Sequence, residues 1–434
     1  MSASSPVPPP SPVVAALENG LRIAVVPLPH LRTTSIVAVV GVGARYEDPR
    51  QNGLSHLLEH MLFRGSRARP SAHALTYAFE SLGASLDART HADFTAYEVT
   101  LPPAATDEAL GALAELIDAP LFLGLEVEKN VVREEILERV DEDGREIDAD
   151  DLLHHAVFGA HPLGQPLAGT EANLDRFTTA DLSDWHRRHH GARNMVLVIA
   201  GAVEPAHAMR AAEAAFGRLP PGERRRPLPF PGPLAGPLLT YVDSSGSQTD
   251  LRLGIPTFGE RDPRVRALDF VSRTLDGGMS ARLFQTLALE RGLVYDTFGE
   301  LELYEDVGLF SVGAACDHRN VPAVAEACLT LVRALRDEPI SASELDRAKR
   351  RFLFELDASL DDAGSVAGSV AQNLFFETGE TWASLAAAAE RVTLDDLHAV
   401  ARASLSERHL RVVAVGALGE REERALRSLL RAPD

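Results

Sequence analysis

One segment of this 434-residue chain occurs twice, and this repeat constrains the fold more than any other feature. Residues 177–201 align without gaps on residues 392–416, at an offset of 215 residues, which is about half the chain. Each copy has the pattern of a capped helix followed by an apolar strand that ends at glycine, Gly201 in the first copy and Gly416 in the second. A period this long predicts two duplicated domains rather than a solenoid of short repeats.

A proline- and arginine-rich stretch separates the two copies. Residues 217–237 have the composition of a stiff, exposed linker. We therefore expect a first domain over residues 15–216 and a second, homologous domain over residues 238–434, after a disordered proline-rich arm over residues 1–14. Both halves mix alternating strands with amphipathic helices, which indicates the α+β class, with a sheet on one side of each domain and helices on the other.

Charge and composition exclude several classes of protein. The formal net charge is −20, and the acidic residues are spread along the chain, which argues against nucleic acid or an anionic membrane as a partner. No apolar run approaches the roughly 20 residues of a transmembrane helix. The first residues lack the features of a secretory signal or a mitochondrial presequence, so we expect a cytoplasmic location. The two cysteines, Cys316 and Cys328, do not form the spacing pattern of a disulfide framework or a zinc site.

The chemically most informative segment is His56-Leu-Leu-Glu59-His60, which reads H-x-x-E-H, the reverse of the H-E-x-x-H zinc signature. On a helix, positions i, i+3 and i+4 share one face, so the two imidazoles and the carboxylate converge. The flanking residues are apolar, which predicts a buried helix whose polar groups need partners. The alternative is a chance motif, in a chain with 15 histidines, whose two core histidines make ordinary hydrogen bonds.

A catalytic zinc usually has three protein ligands and an open position. The acidic segment 126–138 is the expected source of the third ligand, because Glu128 and Glu135 are seven residues apart and share one face of a helix. Glu134 lies about 100° around that helix and is expected to face solvent. The alternative is that this charged, amphipathic helix merely presents a solvated face.

These motifs occur in a wider pattern. Asn19-Gly20-Leu21 is followed by Gly41, Gly43, Ala44, Arg45 and Glu47, and then by the run from Gly53 to Gly65. The pattern resembles the opening of the pitrilysin-type zinc peptidases, or inverzincins, which include insulin-degrading enzyme and the mitochondrial processing peptidases. The resemblance implies that His56, His60 and Glu135 bind one zinc ion per chain, since Glu135 lies 75 residues after His60 as the family's third ligand does. It also implies that Glu59 is the general base and that Glu128 supports the site.

The resemblance extends to the segment Ser85-Leu-Asp87-Ala-Arg-Thr90, which is similar to the family's edge strand. It implies that a peptide substrate binds here as an added strand, a mode with little side-chain selectivity. Asp87 stands where the family usually has asparagine, and a carboxylate can accept but not donate a hydrogen bond. The alternative is an ordinary alternating strand.

The second half repeats the layout without the metal motif. Residues 267–278 occupy the place of the H-x-x-E-H helix and contain no histidine or glutamate, so we expect no zinc there.

The family has an arginine and a tyrosine seven residues apart that reach the substrate. In this chain Tyr295 matches the tyrosine, but Ala288 replaces the arginine. The resemblance implies two halves that face each other like a clamshell around a chamber, with a buried Tyr295 contacting the substrate. The alternative for Tyr295 is a core aromatic.

The resulting hypothesis is a zinc-dependent metalloendopeptidase that cleaves unfolded peptides or presequence-like segments, with zinc favoured over manganese or cobalt by the donor set. The resemblance implies a homodimer or a heterodimer with a related chain. One alternative is a non-catalytic or half-site subunit that needs a partner chain to supply the missing arginine. Another is a zinc hydrolase acting on a small non-peptide substrate.

Overall fold

The computed structural model describes residues 11–236 and 238–430 of the chain. These residues form two compact units. The first unit comprises the described residues up to Glu134, Pro166–Leu228 and Phe354–Ala387. The second comprises Glu135–Gln165, the described residues of Pro229–Leu353, and those from Ala388 onward. Each unit therefore takes most of its residues from one half of the sequence and a shorter segment from the other half.

The elements are numbered in chain order. The strands are β1 (Val13–Ala16), β2 (Arg22–Pro27), β3 (Thr34–Val40), β4 (Ser85–Thr90), β5 (Thr95–Leu101), β6 (Met195–Gly201), β7 (Leu238–Val242), β8 (Thr249–Phe258), β9 (Phe298–Leu303), β10 (Val307–Cys316) and β11 (Arg411–Val415). The helices are α1 (Leu54–Leu62), α2 (Ala72–Glu80), α3 (Thr106–Asp118), α4 (Leu125–Leu137), α5 (Ala149–Phe158), α6 (Glu171–Arg176), α7 (Thr179–His189), α8 (Pro205–Phe216), α9 (Val265–Asp276), α10 (Arg282–Phe284, continued by a π-helical turn over Gln285–Glu290), α11 (Val321–Asp337), α12 (Ala342–Ala358), α13 (Ala363–Phe376), α14 (Trp382–Arg391), α15 (Leu394–Ser404) and α16 (Glu420–Leu429).

The first unit is built on a six-stranded sheet in the order β1-β2-β6-β3-β5-β4. Strands β2 and β6 run parallel, and the other neighbours are antiparallel. The central strands β3 and β6 are buried along their whole length, which explains their continuous apolar sequences. Strand β4 lies at the edge of the sheet, as the family resemblance implied.

Helices cover both faces of this sheet. Helix α13 packs on β3 and β6, where Val366, Ala367 and Val370 contact one apolar face. Helix α8 packs on β2, and helix α1 contacts both α7 and the edge strand β4. A sheet with two apolar faces needs cover on both sides, and the second half of the sequence supplies part of that cover through α13.

The second unit contains a five-stranded sheet in the order β7-β11-β8-β10-β9. This order matches the last five strands of the first sheet, and β7 runs parallel to β11 as β2 runs parallel to β6. Helix α5, from the first half of the sequence, packs on β8 and β11 of this sheet. The α+β class, with two similar sheet-and-helix units, is confirmed.

The repeated segment has the same local structure in both copies. Helix α7 begins with a capping box of Thr178 and Asp181, and α15 begins with the same box of Thr393 and Asp396. In each box the threonine hydroxyl accepts from a backbone N–H and the aspartate accepts from the threonine N–H, which stabilises the first turn. Each helix is followed by a single 3₁₀ turn and a buried strand, β6 or β11.

One expectation about the chain's connections needs correction, and it concerns the N-terminal arm. Residues 1–10 of the expected disordered arm lie outside the described residues, and Val13 and Val14 are ordered, since they pair with β2 as part of β1. The linker is largely exposed, as expected. The carbonyls of Pro220 and Pro221 accept from the backbone of Ala192 and Arg193 at 2.8 and 2.9 Å. These backbone bonds hold its first part along the first unit.

The expected boundaries also differ from the compact units. The linker divides the sequence into halves, but the units exchange the segment that contains α5 and the segment that contains α13. Each exchanged helix covers a sheet face that the other half leaves open, which composition along the sequence cannot reveal.

Cys316 and Cys328 are buried free thiols. None of the described helices has the length and apolar character that crossing a bilayer requires.

Candidate metal centre

Helix α1 begins at a tightly packed turn. Gly53 has φ of 94°, and a Cβ at this position would lie 2.7 Å from the carbonyl oxygen of Ala168, so only glycine fits without strain. The buried carboxylate of Glu47 accepts from the N–H groups of Gly53 and Ser55 at 2.9 and 2.6 Å, which satisfies donors that the first turn leaves open. Burial raises the pKa of Glu47 to about 7. The sequence pattern included Glu47, but its capping role emerges only in the fold.

The two faces of α1 separate as the helical periodicity predicted. The five apolar residues are almost completely buried: Leu54, Leu57, Leu58, Met61 and Leu62. His56, Glu59 and His60 are half-buried on the opposite face. The imidazole centroids of His56 and His60 are 4.7 Å apart. The apolar face therefore holds the helix in the unit and leaves three chemically active side chains accessible.

Helix α4 brings a third candidate ligand to this face. Its Val132 and Ile136 are buried, whereas Glu134 is exposed, as the helical spacing predicted. The first unit includes α4 up to Glu134, and Glu135 follows within the same unbroken helix. His56, His60 and Glu135 each offer a ligand atom within 4.8 Å of the other two.

The second glutamate on this face of α4 contacts His60. Glu128 is 9% exposed, and its Oε2 lies 3.3 Å from Nδ1 of His60. Its other oxygen accepts from Arg64 Nη1 at 3.1 Å. Because a carboxylate can only accept, Nδ1 of His60 carries the proton and Nε2 is left with a lone pair. This pattern is how carboxylates orient metal-binding imidazoles in proteins. Arg64, which holds Glu128 in place, was not singled out by the sequence analysis.

The carboxylate of Glu59 is held by the edge strand. The hydroxyl of Thr90, the last residue of β4, donates to Oε2 of Glu59 at 2.7 Å. Thr90 belongs to the segment that the resemblance assigned to peptide binding, but no sequence signal linked it to Glu59. The contact depends on α1 packing against β4, which only the fold establishes.

Two buried histidines, His189 and His190, lie at the C-terminal end of α7. Burial, with the nearby Glu59 carboxylate, raises the pKa of Tyr97 well above its usual 10, and its hydroxyl lies 3.3 Å from Nε2 of His190. Burial lowers the pKa of His190 well below its usual value and that of His189 to about 4. Nδ1 of His189 donates to the carbonyl of Gly41 at 3.2 Å. These rings are neutral at neutral pH, and they serve packing and hydrogen bonding in the core.

Tyr295 is placed differently from both expectations. It lies in the second unit, between the π-helical turn and β9, and it is 93% exposed. It is therefore neither the buried tyrosine that the resemblance implied nor the core aromatic of the alternative. Ala288 is half-buried within the π-helical turn. The exposure of Tyr295 follows from its position in an irregular connection, where sequence periodicity gives no signal.

The donor set fits zinc. Two imidazole nitrogens and one carboxylate oxygen are a common set of protein ligands in hydrolytic zinc sites, and the fourth position is then open to water or substrate. Tetrahedral zinc holds its donors about 3–4 Å apart, so small side-chain rotations close a group whose atoms already lie within 4.8 Å. Within the described residues, this is the one group of three or more histidine, cysteine or carboxylate side chains arranged to hold a metal ion.

Two family models match this chain. Residues 22–171 match the family model of insulinase, peptidase family M16, and residues 176–352 match that of the peptidase M16 inactive domain. An uncharacterized zinc protease of Mycobacterium tuberculosis is 32% identical over 405 residues, which cover 92% of each chain. An uncharacterized zinc protease of Streptomyces coelicolor is 29% identical, over 90% of this chain and 87% of the relative.

A solved structure shows the same fold. The crystal structure of a peptidase M16 inactive domain from Pseudomonas fluorescens superposes with a TM-score of 0.85, at 19% identity, over 94% of this chain and 99% of that one. The two family models together span most of the described residues, and the mycobacterial relative is similar along nearly its whole length. On these grounds the chain belongs to the M16, or pitrilysin, family of peptidases.

Proposed function

We propose that this protein is a zinc-dependent metalloendopeptidase that cleaves unfolded peptides or presequence-like segments. The observation that carries the proposal is the convergence of His56, His60 and Glu135, with the carboxylate of Glu59 on the same helical face. Two imidazoles and one carboxylate at such short range are a common donor set of hydrolytic zinc sites.

The chain's own residues divide the chemistry between them. His56, His60 and Glu135 would hold one zinc ion, which would supply Lewis-acid chemistry that acidifies water and polarises a peptide carbonyl. Glu59 is the general base that takes a proton from the attacking water and passes it to the leaving amine. Glu128 keeps the Nδ1 proton of His60 engaged at 3.3 Å, so that Nε2 is the ligand atom.

The edge of the first sheet is the proposed peptide site. Strand β4 pairs with β5 on one side only, and its other side has backbone N–H and C=O groups to which an extended peptide can add as a strand. The strand ends at Thr90, which contacts Glu59, so a peptide along β4 passes close to the base. Asp87 is more than half exposed on this strand, where its carboxylate can accept from a peptide N–H.

Tyr295 is proposed as a substrate-contacting residue of the second unit. Its exposed hydroxyl is available to hydrogen-bond a polarised carbonyl oxygen. Ala288 provides no positive charge at the position of the family's arginine. We therefore propose that the chain works as a homodimer or as a heterodimer with a related chain, and the heterodimer would supply the missing guanidinium.

The test is cleavage of a long unfolded peptide by the purified chain alone, read by mass spectrometry. We expect cutting that requires zinc, stops with a chelator, returns when zinc is added back, and disappears in Glu59→Gln. That variant keeps the size of the side chain and removes the base. Adding manganese or cobalt instead of zinc identifies the metal that best restores activity. If the zinc-loaded chain leaves the peptide intact, the stand-alone enzyme is refuted.

The second candidate function is a non-catalytic or half-site subunit. Two observations favour it: the alanine at position 288, and the match of residues 176–352 to a domain named inactive. It predicts that the zinc-loaded chain cuts peptides only when a related chain with an arginine at that position is added. Retention of His56, Glu59, His60, Glu128 and Glu135 together favours the active enzyme, because a purely structural subunit has no need of all five.

A further inference from the structure

Thr90 stands at the junction of the peptide-binding edge and the base. It is the last residue of β4, it pairs with Thr95 of β5, and it is 7% exposed although it lies on an edge strand. Its hydroxyl lies 2.7 Å from Oε2 of Glu59, a distance typical of a strong hydrogen bond to a charged acceptor.

The direction of this hydrogen bond follows from the neighbouring groups. A threonine hydroxyl has a single hydrogen, and an ionised carboxylate has none to give. Thr95 Oγ1 lies 3.0 Å from the carbonyl of Val42 and 3.5 Å from Thr90 Oγ1, so its own hydrogen is directed to that carbonyl. The Thr90 hydroxyl therefore donates its hydrogen to Glu59, and Oε2 is the carboxylate oxygen that accepts it.

We propose that Thr90 is a positioning residue that holds the Glu59 carboxylate by Oε2 and leaves Oε1 to accept the proton of the attacking water. The inference rests on the proposed peptidase function. Glutamate has three rotatable side-chain bonds, and a half-buried carboxylate without this anchor samples several rotamers. Because Thr90 also ends β4, the same residue fixes the base relative to a peptide that lies along that strand.

The experiment compares Thr90→Val with Thr90→Ser. Valine has the shape of threonine and suits a strand, but it lacks the hydroxyl; serine keeps the hydroxyl. We expect Thr90→Val to lower kcat by about 10- to 100-fold, the range for losing a hydrogen bond to a charged group. We expect KM to change by less than about twofold, because the backbone edge of β4 is intact. Thr90→Ser should restore kcat to within about threefold of the wild type.

Thr100→Val is the matched control. Thr100 is an exposed threonine of β5 in the same hairpin, opposite Ser85 at the far end of β4. This variant should keep the kcat of the wild type, and its thermal unfolding should match that of Thr90→Val. If Thr90→Val fails to fold, Thr90→Ala takes its place in the comparison, since alanine also lacks the hydroxyl.

Readouts other than activity separate this inference from the proposed function. Zinc affinity, measured by competition with a chromophoric chelator, should be the same in Thr90→Val and the wild type. Crystal structures of the zinc-loaded wild type and the zinc-loaded Thr90→Val variant should differ in the position of the Glu59 carboxylate, which should be displaced in the variant. An intact peptide with the wild type would refute the peptidase, and the crystal structures would still test the anchor.

Three results would overturn the positioning role. A kcat of Thr90→Val within about twofold of the wild type would show that the hydroxyl is dispensable. Equal losses in the serine and valine variants would assign the effect to packing rather than to the hydrogen bond. An unmoved Glu59 carboxylate in the Thr90→Val crystal structure would show that other contacts hold the base.

Discussion

Removal of the Glu128 side chain tests how the metal centre is supported. In Glu128→Ala, Nδ1 of His60 loses its acceptor at 3.3 Å, and Arg64 loses its carboxylate partner at 3.1 Å. Carboxylates that orient metal-binding histidines contribute about 10- to 100-fold in metal affinity, which corresponds to about 1.4–2.7 kcal/mol. The Glu128 side chain is only 12% exposed, so water screens these contacts weakly, and we expect a loss of zinc affinity within this range.

The assay is zinc competition against a chromophoric chelator at neutral pH, with Glu134→Ala as the control. Glu134 lies on the same helix and is exposed, so its removal changes the net charge equally without touching His60. Glu128→Gln should fall between the wild type and Glu128→Ala, because an amide oxygen can still accept from Nδ1 but carries no charge for Arg64. Equal zinc affinity in Glu128→Ala and Glu134→Ala would refute the orienting role.

Three further predictions concern stability and substrate contact. Burial lowers the pKa of His189 to about 4 from its usual 6.5. Between pH 6.5 and 4, the His189 imidazole is therefore protonated only in the unfolded chain. This difference should lower the free energy of unfolding by about 3 kcal/mol as the pH falls through this range. Urea unfolding at pH 7 and pH 4.5 should show a smaller loss in His189→Gln than in the wild type. An equal loss in the variant and the wild type would contradict this prediction. Gly53→Ala should lower stability by roughly 1–3 kcal/mol and weaken zinc binding, because its Cβ would lie 2.7 Å from the Ala168 oxygen at φ of 94°; an unchanged melting temperature would show that the turn can relax. Tyr295→Phe should leave unfolding unchanged, since the side chain is 93% exposed, and should lower kcat/KM about tenfold; unaltered peptide cleavage would remove Tyr295 from the site.

The features predicted correctly from the sequence are those that local geometry controls. The spacing of His56, Glu59 and His60 places them on one face because a helix has 3.6 residues per turn, and the same rule directed Glu134 to solvent. The repeated capping boxes at Thr178 and Thr393 depend on contacts over three residues. Glu135 was reached by its distance from His60 in a family pattern, and the structure brings it to the two histidines.

By itself, the sequence determined the duplicated layout and the helix that carries His56, Glu59 and His60 on one face, and the family resemblance implied the edge strand that ends at Thr90. The tertiary structure alone decided that Glu47 caps α1, that Thr90 contacts Glu59, and that α5 and α13 each cover a sheet built largely from the other half of the chain. It also decided that Tyr295 is exposed. The physical reason is range. Periodicity and capping arise from backbone hydrogen bonds over a few residues, whereas burial and side-chain partners arise from packing between elements far apart in the chain.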